Sequence, residues 1–398
     1  MDMERFRSLA KDLEEKVIGF RHDFHAHPEL SWKEERTSEI IESVLGELGF
    51  ENIHRGFGST GSGVIADIGG DGESPMVALR ADIDALPLDE NVDEPWKSTN
   101  KGVMHACGHD AHAAILLGVA HVLAALKEEL PGRVRLIFQP AEESGFDSGA
   151  KQLVEEGALE GVDAIWGLHV WAPLPKGTIG YRAGPVMASA DIWEVEVKGQ
   201  GGHGSRPHEA IDPTIAAATI VTTVQTIVSR EIDPQEAVVL SVGKIDCGTA
   251  ANIIPETARL TGNVRTTSRV IRDEMPGRIR RIAEGVGSAV RCETKVNFLP
   301  VYPVTVNDEK MVELFVETAE SIMGEEALEE QPVILGSEDF SFYQEKVPGA
   351  FFFLGMGDSE KGTDAQHHSP LFKTNDEVLG DGVTLLSALA WRWLEQAR

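Results

Sequence analysis

The chain has 398 residues and a formal net charge of −29 at neutral pH. At about 150 residues per domain, this length predicts two or three compact units, and the negative charge argues against nucleic acid or an anionic membrane as a partner. No apolar run reaches the ~20 residues of a membrane span, and the N-terminus lacks the basic-then-apolar order of a signal peptide, so we expect a cytoplasmic protein.

Helices and strands alternate along the first half of the chain. Apolar residues recur at helical spacing over residues 4–20 and 33–48. Two strands separated by a glycine-rich turn, typical of a hairpin, come next, and a long apolar run then predicts a buried helix. This alternation predicts a mainly parallel sheet covered by helices. The predicted strands are residues 63–68, 75–80, 133–138 and 164–169, and the helices between them are residues 111–126 and 150–156.

The order of elements changes between residues 186 and 299. Strands and helices there follow the order βαββαβ, which is the ferredoxin-like arrangement. The first pattern then resumes, so we predict one α/β domain formed by residues 1–185 and 300–398, with a smaller domain inserted at 186–299. The inserted strands are predicted at 192–197, 237–245, 258–265 and 294–299, with helices at 213–229 and 272–289. The later elements are helices at 308–323, 338–346 and 377–396 and strands at 333–335 and 350–354.

Polar side chains follow the predicted strands at the edge where an open α/β sheet binds its ligands. Cys107 and His109 stand two residues apart in a segment that we expect to be extended, so both would project to one side and could share a metal ion. They precede the buried helix, whose dipole would favour the thiolate. A thiolate with imidazoles and carboxylates suits zinc. The other candidates are Asp82, Asp84, Glu142, Glu143, His169, His367 and His368.

Each of these residues also has a structural interpretation, as an alternative to a role in a metal site. A single histidine such as His169 is more often a core residue than a ligand, and paired acids often form a solvated loop. The three cysteines are scattered and odd in number, which argues against a disulfide framework. Cys247 and Cys292 fit buried small apolar positions. What favours a functional site is that all the candidates fall at the same edge of one sheet.

Eight short motifs together resemble the amidohydrolase branch of the aminoacylase and carboxypeptidase superfamily of dinuclear metallohydrolases. That branch includes hippurate hydrolases, N-acyl-amino-acid amidohydrolases and hydrolases of indole-acetyl-amino-acid conjugates. The resemblance implies a zinc-exopeptidase-like catalytic domain whose inserted domain acts as a lid and carries the contact of a homodimer or higher oligomer. The motifs lie at residues 27–30, 80–87, 105–112, 139–143, 201–204, 252–255, 336–340 and 368–370.

The resemblance also implies two divalent metal ions per subunit, bridged by Cys107. His109 and His169 would complete one metal site, and Glu143 and His368 the other. Zinc is the favoured metal, with manganese, cobalt and nickel open.

Further roles come from the same resemblance. Glu142 would be the general base, and Asp84 would orient a metal ligand. His203 and Asn252, reaching across from the partner subunit, would stabilise the oxyanion, and Arg265 would bind the substrate carboxylate.

The predicted activity is metal-dependent hydrolysis of the amide bond of N-acyl amino acids, small molecules carrying an acetyl, benzoyl or other acyl group. A carboxypeptidase or dipeptidase on the same scaffold is one alternative. A second makes Cys107 a nucleophile activated by His109, although the clustered carboxylates would then have no role. A binding module without activity is a third.

Overall fold

The computed structural model describes residues 3–57 and 61–397. The chain forms two compact units. The first consists of Met1–Gly184, Val306–Pro332 and Asp339–Arg398, and the second of Pro185–Thr305 and Val333–Glu338.

Helices and strands of the described residues are numbered here in chain order. The α-helices are α1 (Met3–Asp12), α2 (Glu14–Ala26), α3 (Glu35–Glu47), α4 (His109–Ala125), α5 (Gly149–Glu155), α6 (Pro213–Val224), α7 (Arg269–Ala289), α8 (Glu309–Met323), α9 (Ser341–Gln344) and α10 (Leu379–Ala397). The strands are β1 (Glu51–Phe57), β2 (Gly63–Ile68), β3 (Met76–Asp82), β4 (Arg133–Gln139), β5 (Ala164–Pro175), β6 (Ile179–Tyr181), β7 (Gly184–Met187), β8 (Ala190–Lys198), β9 (Gly202–His203), β10 (Val238–Cys247), β11 (Ile253–Ile254), β12 (Thr257–Thr266), β13 (Glu293–Tyr302), β14 (Thr305–Asn307), β15 (Leu328–Glu330) and β16 (Gly349–Gly357).

An eight-stranded sheet in the order β1-β2-β4-β3-β5-β16-β6-β15 forms the centre of the first unit. Its middle strands, β4, β3, β5 and β16, are parallel to one another, while β1, β2 and β6 pair antiparallel with neighbours. The predicted hairpin of β2 and β3 is wrong, because β4 lies between them. The predicted α/β class with a mainly parallel sheet is confirmed.

Helix α4 is buried on almost every side and packs against α2 and α10. Its sequence explains this, since apolar residues occupy all faces instead of a single stripe. The helix predicted over residues 4–20 is in fact two helices that meet at Leu13. Phe6 of α1 packs edge-on against Trp391 of α10, whereas α2 packs mainly on α4. The two helices therefore have different main packing partners.

The second unit contains a four-stranded antiparallel sheet in the order β10-β12-β8-β13. Along the chain its elements run β8-α6-β10-β12-α7-β13, and alternate residues of β8 and β12 are buried. Period-two burial is expected for a sheet with helices on one face only. The continuous part of this compact unit spans Pro185–Thr305. The domain boundaries at 186 and 299 remain a prediction from the sequence.

Further sequence-based details differ from the structure. Strand β1 and the short strands β6, β7, β9, β11, β14 and β15 were not predicted. The strand expected at 333–335 is wrong, since Ile334 makes only an isolated bridge to Met187, and the helix expected at 338–346 is reduced to α9. The segments at 333–335 and 341–344 are short, so local pattern carries little signal there. Among the described helices, none combines the length and the apolar character needed to cross a membrane.

Candidate metal centre

The candidate residues of the first unit come from segments that follow neighbouring strands. Asp82 ends β3, Glu142 follows β4, His169 lies within β5 and His368 lies in the loop after β16. Because these strands are parallel neighbours, the segments at their carboxyl ends meet along one edge of the sheet. The backbone N–H of His368 donates to the carbonyl of Ala106 at 2.8 Å, which ties this loop to the Cys107 segment.

Two groups of possible metal donors share Cys107. Donor atoms of Cys107, His109 and His169 lie within 4.8 Å of one another, and so do those of Cys107, Glu143 and His368. Cys107 Sγ is 3.4 Å from His169 Nε2, and His368 Nε2 is 3.0 Å from Glu143 Oε1. The structure therefore brings together all five residues that the resemblance nominated as ligands.

The backbone conformation of Gly108 brings the side chains of Cys107 and His109 close together. The segment is not extended as expected, because Gly108 has the left-handed φ of 90° and His109 is already the first residue of α4. A Cβ added to Gly108 would lie 2.4 Å from Val170 Cγ2. Glycine is required here for both reasons.

Substituting Gly108 by Ala should therefore distort the metal centre. The left-handed backbone costs about 1–2 kcal/mol and the overlap with Val170 about 1–3 kcal/mol more. We expect fewer bound metal ions and a lower unfolding free energy, measured by elemental analysis and denaturant unfolding. Gly102→Ala is the matched control, since Gly102 has φ 77° but no atom near its added Cβ. Equal behaviour of the two variants would contradict this role for Gly108.

Asp84 fixes the orientation of His109. Its Oδ1 lies 3.1 Å from His109 Nδ1, whose proton can also reach the Asp84 carbonyl at 2.9 Å. Its other oxygen, Oδ2, accepts from Ser31 Oγ at 2.7 Å and from the backbone N–H of Glu143 at 3.0 Å. His109 Nε2 is left buried with no hydrogen-bond partner among the described residues. An imidazole held in this way presents a free lone pair when it is neutral.

His169 is oriented by its own strand. Its Nδ1 donates to the carbonyl of Val170 at 2.6 Å, which leaves Nε2 facing Cys107. Burial lowers the pKa of His169 well below its ordinary value, and nearby His112 adds to the effect. The ring is therefore neutral, which is the form that binds metals.

Burial and the charges of Glu143 and Glu142 raise the pKa of the Cys107 thiol well above its usual range. The expectation that the helix dipole favours the thiolate is therefore wrong for these surroundings, because loss of solvation and the adjacent carboxylates outweigh it. A thiolate at this position needs positive counter-charge close by.

Three predicted residues belong to the second unit. β9 pairs with β11, which places His203 opposite Ile253, and Gly204 N donates to the carbonyl of Asn252 at 2.8 Å. His203 and Asn252 are thus neighbours, and both are exposed. Arg265 is half-buried and donates from Nη1 to the carbonyl of Leu335 at 3.0 Å.

The family model for peptidase family M20/M25/M40 matches residues 78–392. The chain belongs to this family. The resemblance that its motifs indicate is thereby confirmed, and the chain is an M20 hydrolase.

Similar proteins cover almost all of this M20 chain. Thermostable carboxypeptidase 2 of Saccharolobus solfataricus is 40% identical over 392 residues, 98% of each chain. The N-acetylcysteine deacetylase of Bacillus subtilis is 41% identical, over 92% of this chain and 93% of the relative. The crystal structure of the Bacillus subtilis YxeP protein, described as a dinuclear metal binding peptidase from the M20 family, is 37% identical, with a TM-score of 0.84 over 97% of this chain and 99% of that one.

The donor set of this M20 chain fits divalent cations. One sulfur, three imidazoles and one carboxylate converge, and the buried Nε2 of His109 has no hydrogen-bond partner in the part of the chain that the structure describes. Burial lowers the pKa of His109, but the charges of Asp82 and Asp84 outweigh it and raise that pKa to about 10. Metal binding must therefore displace protons from both His109 and Cys107.

A buried polar network, whose contacts the motifs do not reveal, supports the M20 site. His112 Nδ1 bonds to Asp82 Oδ1, and His112 Nε2 accepts the backbone N–H of Val170 at 2.9 Å. Both nitrogens of His112 are thus engaged, so it is no free ligand. Arg80 donates to Asp82 at 2.7 Å and to Asp339 at 2.8 Å, and all three are buried. The members of this network lie within the motifs at 80–87, 105–112 and 336–340, and His109 and His112 have the spacing of residues on one face of α4.

Proposed function

We propose that this M20 chain hydrolyses the amide bond of N-acyl amino acids at a centre holding two divalent cations. The observation that carries the proposal is the position of Cys107, whose sulfur belongs to two donor groups at once. The Cys107 sulfur would help to hold both cations, and each group would supply two further donors. The activity named for the Bacillus subtilis deacetylase and the two metals named for the YxeP protein support the same conclusion.

In this proposal Cys107, His109 and His169 hold one cation and Cys107, Glu143 and His368 the other. The mixture of thiolate and imidazole favours zinc, and manganese, cobalt or nickel suit the same donors when they are more available.

Glu142 acts as the general base. Divalent cations bound at this centre supply Lewis acidity, which polarises a carbonyl group and lowers the pKa of water. Glu142 is nine-tenths buried and has a carboxylate oxygen within 4.8 Å of donor atoms of His109 and Glu143. Its carboxylate accepts the proton of the attacking water and delivers it to the departing amine nitrogen.

Side chains of the second unit act on the substrate. The backbone N–H of Ser205 donates to His203 Nδ1 at 3.1 Å, so in the neutral ring Nε2 carries the proton and can donate to an oxyanion. Asn252 supplies an amide donor beside it, and Arg265 binds the substrate carboxylate. We propose that His203 and Asn252 reach the active site of the partner subunit in a homodimer formed through this unit.

A thiol mechanism is disfavoured by the surroundings of Cys107. A nucleophilic cysteine needs a lowered pKa, whereas burial and the neighbouring carboxylates raise the pKa of Cys107.

Removal of metal should abolish hydrolysis. We expect chelator-treated protein to lose more than about 10²-fold in turnover of acetyl-, benzoyl- or indole-acetyl-amino acids, because both carbonyl polarisation and water activation depend on the cations. Adding back zinc, manganese, cobalt or nickel singly, with amino-acid release measured, identifies the working metal. Full activity after chelation, or no release from any conjugate by metal-loaded protein, would reject the proposal.

A carboxypeptidase activity is the second candidate, because the Saccharolobus solfataricus relative with that name covers 98% of this chain. Benzoyl-glycyl-phenylalanine and benzoyl-glycine separate the two activities. A carboxypeptidase releases phenylalanine from the first and leaves the second intact, whereas an amidohydrolase cleaves the second.

A further inference from the structure

Glu34 is a buried carboxylate to which neither the motifs nor the donor set give a role. It immediately precedes α3 and its side chain is fully buried. The backbone N–H of Ala141 donates to Glu34 Oε1 at 2.9 Å, and Ser62 Oγ donates to Oε2 at 2.9 Å. Burying a carboxyl group is costly unless its oxygens are bonded, and here both are.

The partner of Glu34 is a strained residue next to the proposed base. Ala141 has φ 54° and ψ 43°, a left-handed conformation that a residue with a Cβ avoids. Glu142 follows directly. The torsions of Ala141 therefore set the direction in which Glu142 leaves β4, and the conformation persists only if the surroundings enforce it.

Residues 31–34, the segment that contains Glu34, also contact the turn on the far side of Glu142. Ser31 donates to Asp84 Oδ2, and that oxygen accepts the backbone N–H of Glu143. Residues 31–34 thus fix the turn at two points, directly at Ala141 and through Asp84 at Glu143. Glu142 lies between the two fixed points.

We propose that Glu34 is a positioning residue, which holds Ala141 in its left-handed conformation and thereby aims the Glu142 carboxylate at the reacting water. This inference rests on the proposed function of Glu142. The hydrogen bonds that the structure describes for the Glu34 carboxyl group go to Ala141 and Ser62, and neither residue is one of the five proposed metal donors.

The charge state of Glu34 agrees with a purely positional role. Burial and the nearby charge of Asp84 raise the pKa of Glu34 to about 8. In the protonated form that this pKa favours at pH 7, the carboxyl O–H can donate to Ser62 Oγ in place of accepting from it. A glutamine can take over these bonds, because its amide oxygen accepts from Ala141 and its amide N–H₂ donates to Ser62 Oγ.

The test compares Glu34→Gln, Glu34→Ala and Glu35→Gln in the metal-loaded enzyme. We expect Glu34→Ala to lose about 10²-fold in kcat, the scale of a misplaced catalytic group, with an unchanged KM and two metal ions retained. Glu34→Gln should keep kcat near wild type. Glu35 is exposed, so Glu35→Gln is the matched control and should change nothing. If Glu34→Ala does not fold, Glu34→Met fills the same space without an acceptor and should show the same loss of kcat.

A second substitution tests the left-handed backbone itself. Glycine adopts positive φ without strain, so Ala141→Gly should restore part of the kcat that Glu34→Ala loses. A positional role would be overturned by wild-type kcat in Glu34→Ala, by an equal loss in Glu34→Gln, by parallel loss of metal, or by no recovery with glycine.

The two proposals can fail separately. An inactive Glu142→Gln variant together with a fully active Glu34→Ala variant would remove the role of Glu34 and leave the hydrolase mechanism standing. A fully active Glu142→Gln variant would contradict both the role of Glu142 as general base and the role of Glu34 in positioning it.

Discussion

Replacing Glu142 by Gln should leave two metal ions bound per chain and reduce turnover by about 10²- to 10⁴-fold, the usual contribution of a general base. Glutamine keeps the size of the side chain but cannot accept the proton of the attacking water. Five other side chains form the donor groups that share Cys107, so metal content should not change. Steady-state kinetics and elemental analysis of one preparation provide both readouts.

Glu143→Gln is the matched comparison, since it makes the same chemical change one residue further along the chain. Glu143 Oε1 lies 3.0 Å from His368 Nε2, in one of the two donor groups. We therefore expect this variant to lose metal together with activity. If Glu142→Gln loses metal and Glu143→Gln keeps it, the roles of the two glutamates have been assigned in the wrong order.

Cys107→Ala should disrupt both metal sites at once, the largest effect that we expect from any single ligand. Its sulfur is common to both donor groups, whereas each of the other four residues belongs to one. Wild-type protein should gain about 2.7 kcal/mol of stability at a metal concentration one hundred times Kd. The variant should lose most of that gain and nearly all turnover. Thermal unfolding during a zinc titration measures the first effect.

Cys247→Ala provides the control for loss of a thiol. Cys247 ends β10 in the second unit, and its sulfur lies 3.3 Å from Thr214 Oγ1. This variant should bind metal and turn over substrate as the wild type does. Retention of two metal ions by Cys107→Ala would mean that the sulfur does not bridge them.

The parts of the site that the sequence predicted are those carried by dense local motifs. Cys107 and His109 stand within one short motif, and Glu142 and Glu143 within another, so their proximity needs no knowledge of the fold. His169 and His368 are isolated in the sequence. They were found through their places after strands and through the family resemblance.

The parts that were missed depend on partners far apart in the chain. Glu34 and Ala141 are joined by one hydrogen bond that no local pattern signals. The pairing of β4 between β2 and β3 is equally non-local, and a glycine-rich turn suggested a hairpin instead. The spacing of Cys107 and His109 predicts two side chains on one side of a strand. In the structure the left-handed Gly108 brings these side chains together at the start of a helix instead.

The discontinuous first unit has a consequence for biosynthesis. Cys107, His109, Glu143 and His169 leave the ribosome early, but His368 follows β16, the strand that pairs with β5, and its backbone N–H bonds to the carbonyl of Ala106. The donor group of Cys107, His109 and His169 is thus complete in a nascent chain well before the other. Under the proposed ligand assignment, the second cation site lacks His368 until translation has passed the whole insertion.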